Sequence, residues 1–193
     1  YFMFASRGDA DTLRINISGE PVTLDPALCA SVDDTVFALN SFSGLYTYDK
    51  NGVPVPDLAE GVAISEDGLT YTFTMKPDLK WSDGSKLTAA DFEWSWKRAA
   101  ATGRASGLNI IEGYPDNLKV TASEDGRTLT VILKAPAVYF LNIVSHTKCL
   151  PVHQATVESA EGYKDAAGNI LDAGAWAREA GFVSNGAFTL AEW

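Results

Sequence analysis

Apolar and polar residues alternate at residues 13–17, where Arg14 and Asn16 separate Leu13, Ile15 and Ile17, and the run stops at Ser18-Gly19-Glu20-Pro21. This spacing predicts a first strand followed by a turn. Over residues 34–45 the apolar positions are Val36, Phe37, Leu39, Phe42 and Leu45, which predicts a helix capped by Asp33 or Asp34 and ended near Gly44. Tyr46-Thr47-Tyr48 predicts a short strand before a tight turn at Asp49-Lys50-Asn51-Gly52, where Asn-Gly tolerates positive φ. Pro54 and Pro56 predict an interval without regular structure. Period two returns at Val62 and Ile64, and again at Tyr71, Phe73 and Met75, on either side of Glu66-Asp67-Gly68, so a hairpin is expected.

A turn at Trp81-Ser82-Asp83-Gly84 precedes a second helix, capped by Thr88 with Asp91 at the third position and carrying Phe92, Trp94, Trp96 and Arg98. A looser, glycine-bearing stretch follows at residues 101–115. Two further strands, 118–122 and 128–133, are joined by Glu124-Asp125-Gly126. Pro136 opens a helix-like run closed by Pro151, and helices are expected at 154–160 and 173–180 around a polar loop at 162–169. Gly186-Ala187-Phe188-Thr189-Leu190 reads as a last strand. Helices and strands interleave without a steady βαβ rhythm, so the class is α/β or α+β with mixed sheets and flanking helices.

The 193 residues, 46% of them hydrophobic, suffice for a substantial core. The net charge of -10 comes from scattered Asp and Glu, and Lys97-Arg98 is an isolated basic pair, so no nucleic-acid partner is expected. Apolar runs such as 137–144 are much shorter than the roughly 20 residues of a membrane span. Tyr1-Phe2-Met3-Phe4 lacks the basic start and the length of a signal peptide, and residues 1–12 read as a tag remnant or a flexible N-terminus. Cys29 and Cys149 show no metal-ligand spacing, so neither a metal nor a cofactor is expected; they form either one long-range disulfide or two free thiols.

Catalytic signatures are absent: the chain has no G-x-S-x-G, H-E-x-x-H or phosphate-binding glycine loop. Ser145 adjoins His146, but adjacency in sequence does not place a hydroxyl on an imidazole nitrogen, and His153 is expected to be an ordinary loop residue. Asp83 belongs to a turn, Asp91 to a helix start and Glu93 to a solvated face, so no catalytic residue is assigned. The aromatic residues Trp81, Trp94, Trp96, Tyr46, Tyr48, Tyr71 and Phe73 could line a cleft, but their spacing favours a core between sheet and helix.

One series of motifs is more specific. It runs Val55-Pro56-Asp57-Leu58-Ala59-Glu60-Gly61, Ser65-Glu66-Asp67-Gly68-Leu69-Thr70-Tyr71-Thr72-Phe73, Lys80-Trp81-Ser82-Asp83-Gly84, Leu87-Thr88-Ala89-Ala90-Asp91-Phe92 and Ser95-Trp96-Lys97-Arg98. In order and spacing this resembles the signature region of the bacterial family 5 extracellular solute-binding proteins. Thr23-Leu24-Asp25-Pro26, Ala135-Pro136 with Tyr139-Phe140, Ser184-Asn185-Gly186-Ala187-Phe188 and Glu192-Trp193 extend the resemblance over nearly the whole chain from Leu13. Trp-Ser-Asp-Gly, Ser-Trp-Lys-Arg and Ser-Asn-Gly-Ala-Phe are most similar to the oligopeptide-binding branch.

The resemblance implies a type II periplasmic-binding architecture and an extracytoplasmic, non-enzymatic role: the solute-binding component of an ABC importer, partnered by an oligopeptide and a membrane permease. It implies main-chain hydrogen bonding of an extended peptide in an inter-lobe cleft. Residues 13–45 then begin the ligand-binding lobe, 46–150 form an extra lobe, and 151–193 return to the first. Cys29, Ala30, Ser31 and Val32 correspond to the ligand-lining segment. The second main lobe, with the acidic residue that holds a peptide amino terminus, would follow Trp193, and the lipid anchor expected of an exported relative is not in this chain. Residues 104–109 depart from the family pattern, in which an aromatic-bearing helical segment lies near the ligand. The alternatives are a structural fragment that binds nothing, or another solute such as a dipeptide, a metal chelate or an oligosaccharide.

Overall fold

The structure, a computed structural model, describes residues 16–192. The strand expected at 13–17 lies mostly outside them, as do the residues read as a tag remnant. Helix α1 (Val32–Ser41) starts two residues earlier than the pattern suggests, because Ser31 rather than Asp33 or Asp34 is its cap. The Asp34 N–H donates to Ser31 Oγ at 3.0 Å, and the Asp34 carboxylate accepts the Ser31 N–H, also at 3.0 Å, a reciprocal capping box.

Strands β1 (Tyr46–Tyr48) and β2 (Pro54–Pro56) form an antiparallel ribbon, a correction to the expectation that the two prolines would prevent regular structure. Ladder bonds flank the ribbon at Asp49 N–H to Val53 O and Asp57 N–H to Leu45 O. Hydrogen-bonding positions therefore fall on residues 53, 55 and 57, and the prolines take the alternate sites, whose missing N–H would point away from the partner.

A four-stranded antiparallel sheet follows in the order β3 (Ala59–Ile64), β4 (Thr70–Met75), β6 (Thr128–Ile132), β5 (Val120–Ala122). On β4 the residues Tyr71, Phe73 and Met75 face inward, joined by Leu129 and Val131 of β6 and Val120 of β5. Helix α2 (Ala89–Ala101) covers this face with Phe92, Trp96, Ala99 and Ala100. Its start is the expected one, with the Asp91 carboxylate accepting the Thr88 N–H at 2.7 Å. Buried Tyr46, Tyr71, Phe73, Trp81 and Trp96 are core residues, while Tyr48 stays exposed and donates its hydroxyl to Asn142 O at 2.9 Å. Glu93 is less solvated than expected, since its carboxylate accepts the Ala122 N–H at 2.7 Å and ties α2 to β5.

Two short helices, α3 (Phe140–Val144) and α4 (Gln154–Ser159), come next. The helix expected at 173–180 is only a 3-10 turn, Ala175–Ala177. Its Ala177 N–H bonds to Gly174 O, and Ala173 O, which an α-helix would need, is occupied by Arg98 Nη2 at 2.6 Å. Nor is residues 186–190 a strand. The Gly186 and Phe188 N–H groups are used on Ser41 O and Asn40 O, at 2.9 and 3.1 Å, satisfying carbonyls at the end of α1 that would otherwise lack partners.

The buried apolar side chains form two clusters. One draws on residues 45–149 together with Ala27, and the other joins Leu24, Cys29, Ala38 and Phe42 to residues of the segment 150–182. Cys29 and Cys149 are separate, buried free thiols. Among the described residues, no helix is long and apolar enough to cross a membrane.

Candidate functional site

The loop before α1 is held by three charged side chains. Asp25, fully buried, accepts the Ala27 N–H at 2.9 Å and Trp176 Nε1–H at 3.1 Å, and forms an ion pair with Arg98 of α2. Burial alone would lower the Arg98 pKa, but the facing Asp25 carboxylate outweighs it and raises the value. Asp34 gathers the N–H groups of Val22, Ala30 and Ser31 at 2.7, 2.9 and 3.0 Å. Lys148 holds the opposite polarity, its ammonium donating to Ala27 O at 2.8 Å and Cys29 O at 2.6 Å.

This bracing makes Ala30 and Ser31 part of the wall of an open depression of about 420 Å³. Opposite them are Asp172, ion-paired with Arg178, and Arg104. Val32, the first residue of α1, is exposed, whereas the Cys29 thiol turns inward between the carbonyls of Asp25 and Asp34. Burial, then the Asp34 carboxylate, push that thiol up to about 12, with the Lys148 ammonium acting in the other direction. Of the four residues carried over by resemblance, Ala30 and Ser31 thus line the depression, Val32 stands at the solvent boundary and Cys29 belongs to the core. The Ala30 and Ser31 N–H groups are already used by Asp34, while the Ala30 carbonyl accepts no bond among the described residues.

Burial would raise the Asp34 pKa, but the N–H groups of Ala30, Ser31 and Val22 and the Ser31 hydroxyl prevail and hold it below its ordinary 3.8. A lowered carboxylate contributes stability that is fully present above its unfolded pKa and is lost as pH falls through the folded one. The stability gap between the wild type and Asp34→Asn should therefore be widest near neutrality and shrink below pH 3.8. Urea unfolding at several pH values checks this, and a gap independent of pH would show that the carboxylate charge is not what braces the loop.

The residues considered for catalysis have structural employment. Ser145 Oγ donates to Leu141 O at 2.9 Å rather than to His146. His146 heads the 3-10 turn Thr147–Cys149, and His153 precedes α4 with its ring 5.4 Å from that of Trp81. Asp83 accepts from the Ser85 N–H and hydroxyl within its turn. No group of three or more potential metal ligands occurs among the described residues. Three residues that shape the site, Asp34, Arg104 and Lys148, are not among the site residues expected from the sequence. Asp34 carries a signal only as a candidate helix cap, and Arg104 only as the first residue of the stretch that departs from the family pattern.

Residues 53–193 match the model of the bacterial extracellular solute-binding proteins, family 5 Middle. The dipeptide-binding protein DppE of Bacillus subtilis is 34% identical over 94% of this chain and 33% of its own length. The periplasmic oligopeptide-binding protein OppA of Escherichia coli K12 is 32% identical over 96% of this chain and 34% of its own. Among solved structures, Haemophilus influenzae OppA in complex with the peptide RPPGFSPFR superposes with a TM-score of 0.77 at 30% identity, covering 90% of this chain and 34% of that one. These neighbours have the type II periplasmic-binding fold, and the chain spans about a third of the length of the relatives it matches.

Proposed function

Because the chain belongs to the bacterial extracellular solute-binding proteins of family 5, a family of extracytoplasmic receptors rather than enzymes, we propose that it is part of the peptide-capturing component of an ABC importer. The ligand is an oligopeptide held in a cleft between lobes, and the partner that receives it is a membrane permease. The observation that carries this reading is the braced wall at Ala30 and Ser31 beside an open depression, its N–H groups fixed by Asp34 and the preceding carbonyls of Ala27 and Cys29 by Lys148. A wall fixed in advance loses little freedom when a ligand docks, and the Ala30 carbonyl, the acceptor left open there among the described residues, can take a peptide N–H whatever the peptide's sequence. The names of the relatives, dipeptide- and oligopeptide-binding proteins, support the choice of peptide over other solutes.

The same reading divides the chain into an extra lobe over residues 46–150 and a ligand-binding lobe built from residues 13–45 and 151–193. The two apolar clusters support this division, since they separate close to residues 45 and 150.

The test is calorimetric titration of the complete gene-encoded protein with a diverse pool of short peptides. Saturable binding is expected, and Ala30→Trp, which places a large side chain on an exposed wall position, should weaken it by about ten-fold or more. A protein that binds no peptide from the pool, or binds them equally well with Trp at residue 30, overturns the reading.

A further inference from the structure

A second depression, of about 330 Å³, shares Arg104 with the first and is bordered by Ser106, Asn142, His146 and Lys148. No carboxylate lines it, although the chain as a whole carries a net charge of -10. Arg104 is exposed and has no ion-pair partner within 4 Å among the described residues. It also lines a third depression with Leu28, Thr102 and Asp172, so it stands at the junction of all three. Of the carboxylates nearby, Asp172 is ion-paired with Arg178, and Asp34 is turned to the N–H groups of Val22, Ala30 and Ser31.

Burial lowers the Lys148 pKa; Cys29 and the Asp25 and Asp34 carboxylates oppose that, and Arg104 is close enough to add to it. The Lys148 ammonium is bonded to two neutral carbonyls, which orient it without cancelling its charge. His146 Nδ1 lies 3.4 Å from the Lys148 N–H and 3.3 Å from Thr147 Oγ1, an arrangement that suits a neutral imidazole protonated on Nε2, and Nε2 has no partner among the described residues. Arg104, Lys148 and the His146 ring, with no carboxylate within 4 Å of either cation among the described residues, thus border a concavity that adjoins the wall formed by Ala30 and Ser31.

We propose that Arg104, Lys148 and His146 form a carboxylate subsite that continues from the Ala30–Ser31 wall and selects peptides by a carboxylate presented there. The inference rests on the peptide-capture reading and adds the chemistry that reading leaves open. Guanidinium, ammonium and imidazole N–H together supply the donors an anion needs on leaving water, and Arg104 provides a planar fork for both carboxylate oxygens. The carboxylate comes from an acidic side chain or from the peptide C-terminus.

Two measurements on the complete protein test this. In calorimetry, peptides that differ only by Glu or Gln at one position read the side chain, and free or amidated C-termini read the main chain. One of these carboxylates should improve affinity by about ten-fold, and Arg104→Gln should bring that ratio to within about two-fold. Lys50→Gln, on an exposed turn, should leave the ratio as it was. Loss of affinity for charged and neutral peptides alike in Arg104→Gln would indicate a structural role and overturn the subsite, as would a wild type indifferent to both carboxylates.

In NMR, glutarate should give a saturable shift of the His146 ring signals, and neutral glutaramide none. His153, outside the depression, serves as the internal reference. A shift that persists in Arg104→Gln, or that His153 shares equally, refutes the subsite. A glutarate response without any peptide binding would refute the peptide reading while supporting the anion site. Peptide binding with a silent His146 and no carboxylate preference would do the reverse.

Discussion

Asp25→Ala should lower the unfolding free energy by about 3–5 kcal/mol, the largest effect expected of any substitution considered for this protein. The magnitude follows from what is left behind. Asp25 has no exposed surface, and its removal takes the counter-charge from Arg98, which is itself 5% exposed. The guanidinium would retain the bond from Nη2 to Ala173 O and its position over the Tyr163 ring, 5.9 Å from the centroid. Its Nε already lacks a partner, so little else is available to stabilise a buried cation. The Ala27 N–H and Trp176 Nε1–H would lose their acceptor as well. Asp25→Leu combined with Arg98→Met should be markedly less damaging than Asp25→Ala alone, because it removes both charges rather than stranding one. Urea midpoints of the three proteins decide the matter. An Asp25→Ala protein within about 1 kcal/mol of wild type would mean that water or a shifted side chain compensates Arg98.

Gly186→Ala should cost about 3 kcal/mol, for a purely spatial reason. A Cβ at that position would meet Ser41 C at 2.4 Å and Phe42 N at 2.5 Å, both backbone atoms at the end of α1. The segment has little freedom to retreat. The Gly186 N–H donates to Ser41 O at 2.9 Å, and the Asn185 side chain bonds Ser43 in both directions, at 3.1 Å to its N–H and 3.0 Å to its carbonyl. Gly61→Ala is the control, since nothing lies within 4 Å of a Cβ there, and it should stay within about 0.5 kcal/mol of wild type. Equal effects of the two substitutions would contradict the close approach at residue 186.

These two sites show how far the sequence could be read. Thr23-Leu24-Asp25-Pro26 and Ser95-Trp96-Lys97-Arg98 stand out as family motifs, yet nothing in either string indicates that Asp25 and Arg98 meet across 73 residues as one buried pair. Ser184-Asn185-Gly186 was likewise recognisable, but its apolar neighbours suggested a strand, and only the fold shows the segment closing the end of α1. Local chemistry was legible where a signal and its partner lie within a few residues, as in the Thr88–Asp91 cap and the Glu-Asp-Gly hairpin of β3 and β4. It misled where a long-range acceptor or donor intervened. Arg98 capturing Ala173 O reduced an expected helix to a single turn. Pro54 and Pro56 misled for another reason, since only register shows that they occupy the tolerant positions of a ladder.

The candidate site was less legible than the fold. Ala30 and Ser31 have no chemistry of their own to advertise, and only the resemblance pointed to them. Lys148 acts through main-chain atoms of a loop, which leaves no pattern in sequence, and Asp34 is visible there only as a helix-start residue. Arg104 matters because three depressions converge on it, a property of the surface rather than of its neighbours in the chain.

The inward-facing thiols also bear on how the protein can be studied. With its pKa pushed up to about 12, Cys29 is almost wholly protonated at neutral pH, and Cys149 is buried completely with its thiol pushed up as well. Maleimide dyes attack thiolates, so both native cysteines are nearly inert in the folded state. A single cysteine placed at an exposed position such as Lys50 would be labelled selectively without first engineering the others away. A dye at that position would then report by fluorescence on a protein that keeps both of its native cysteines.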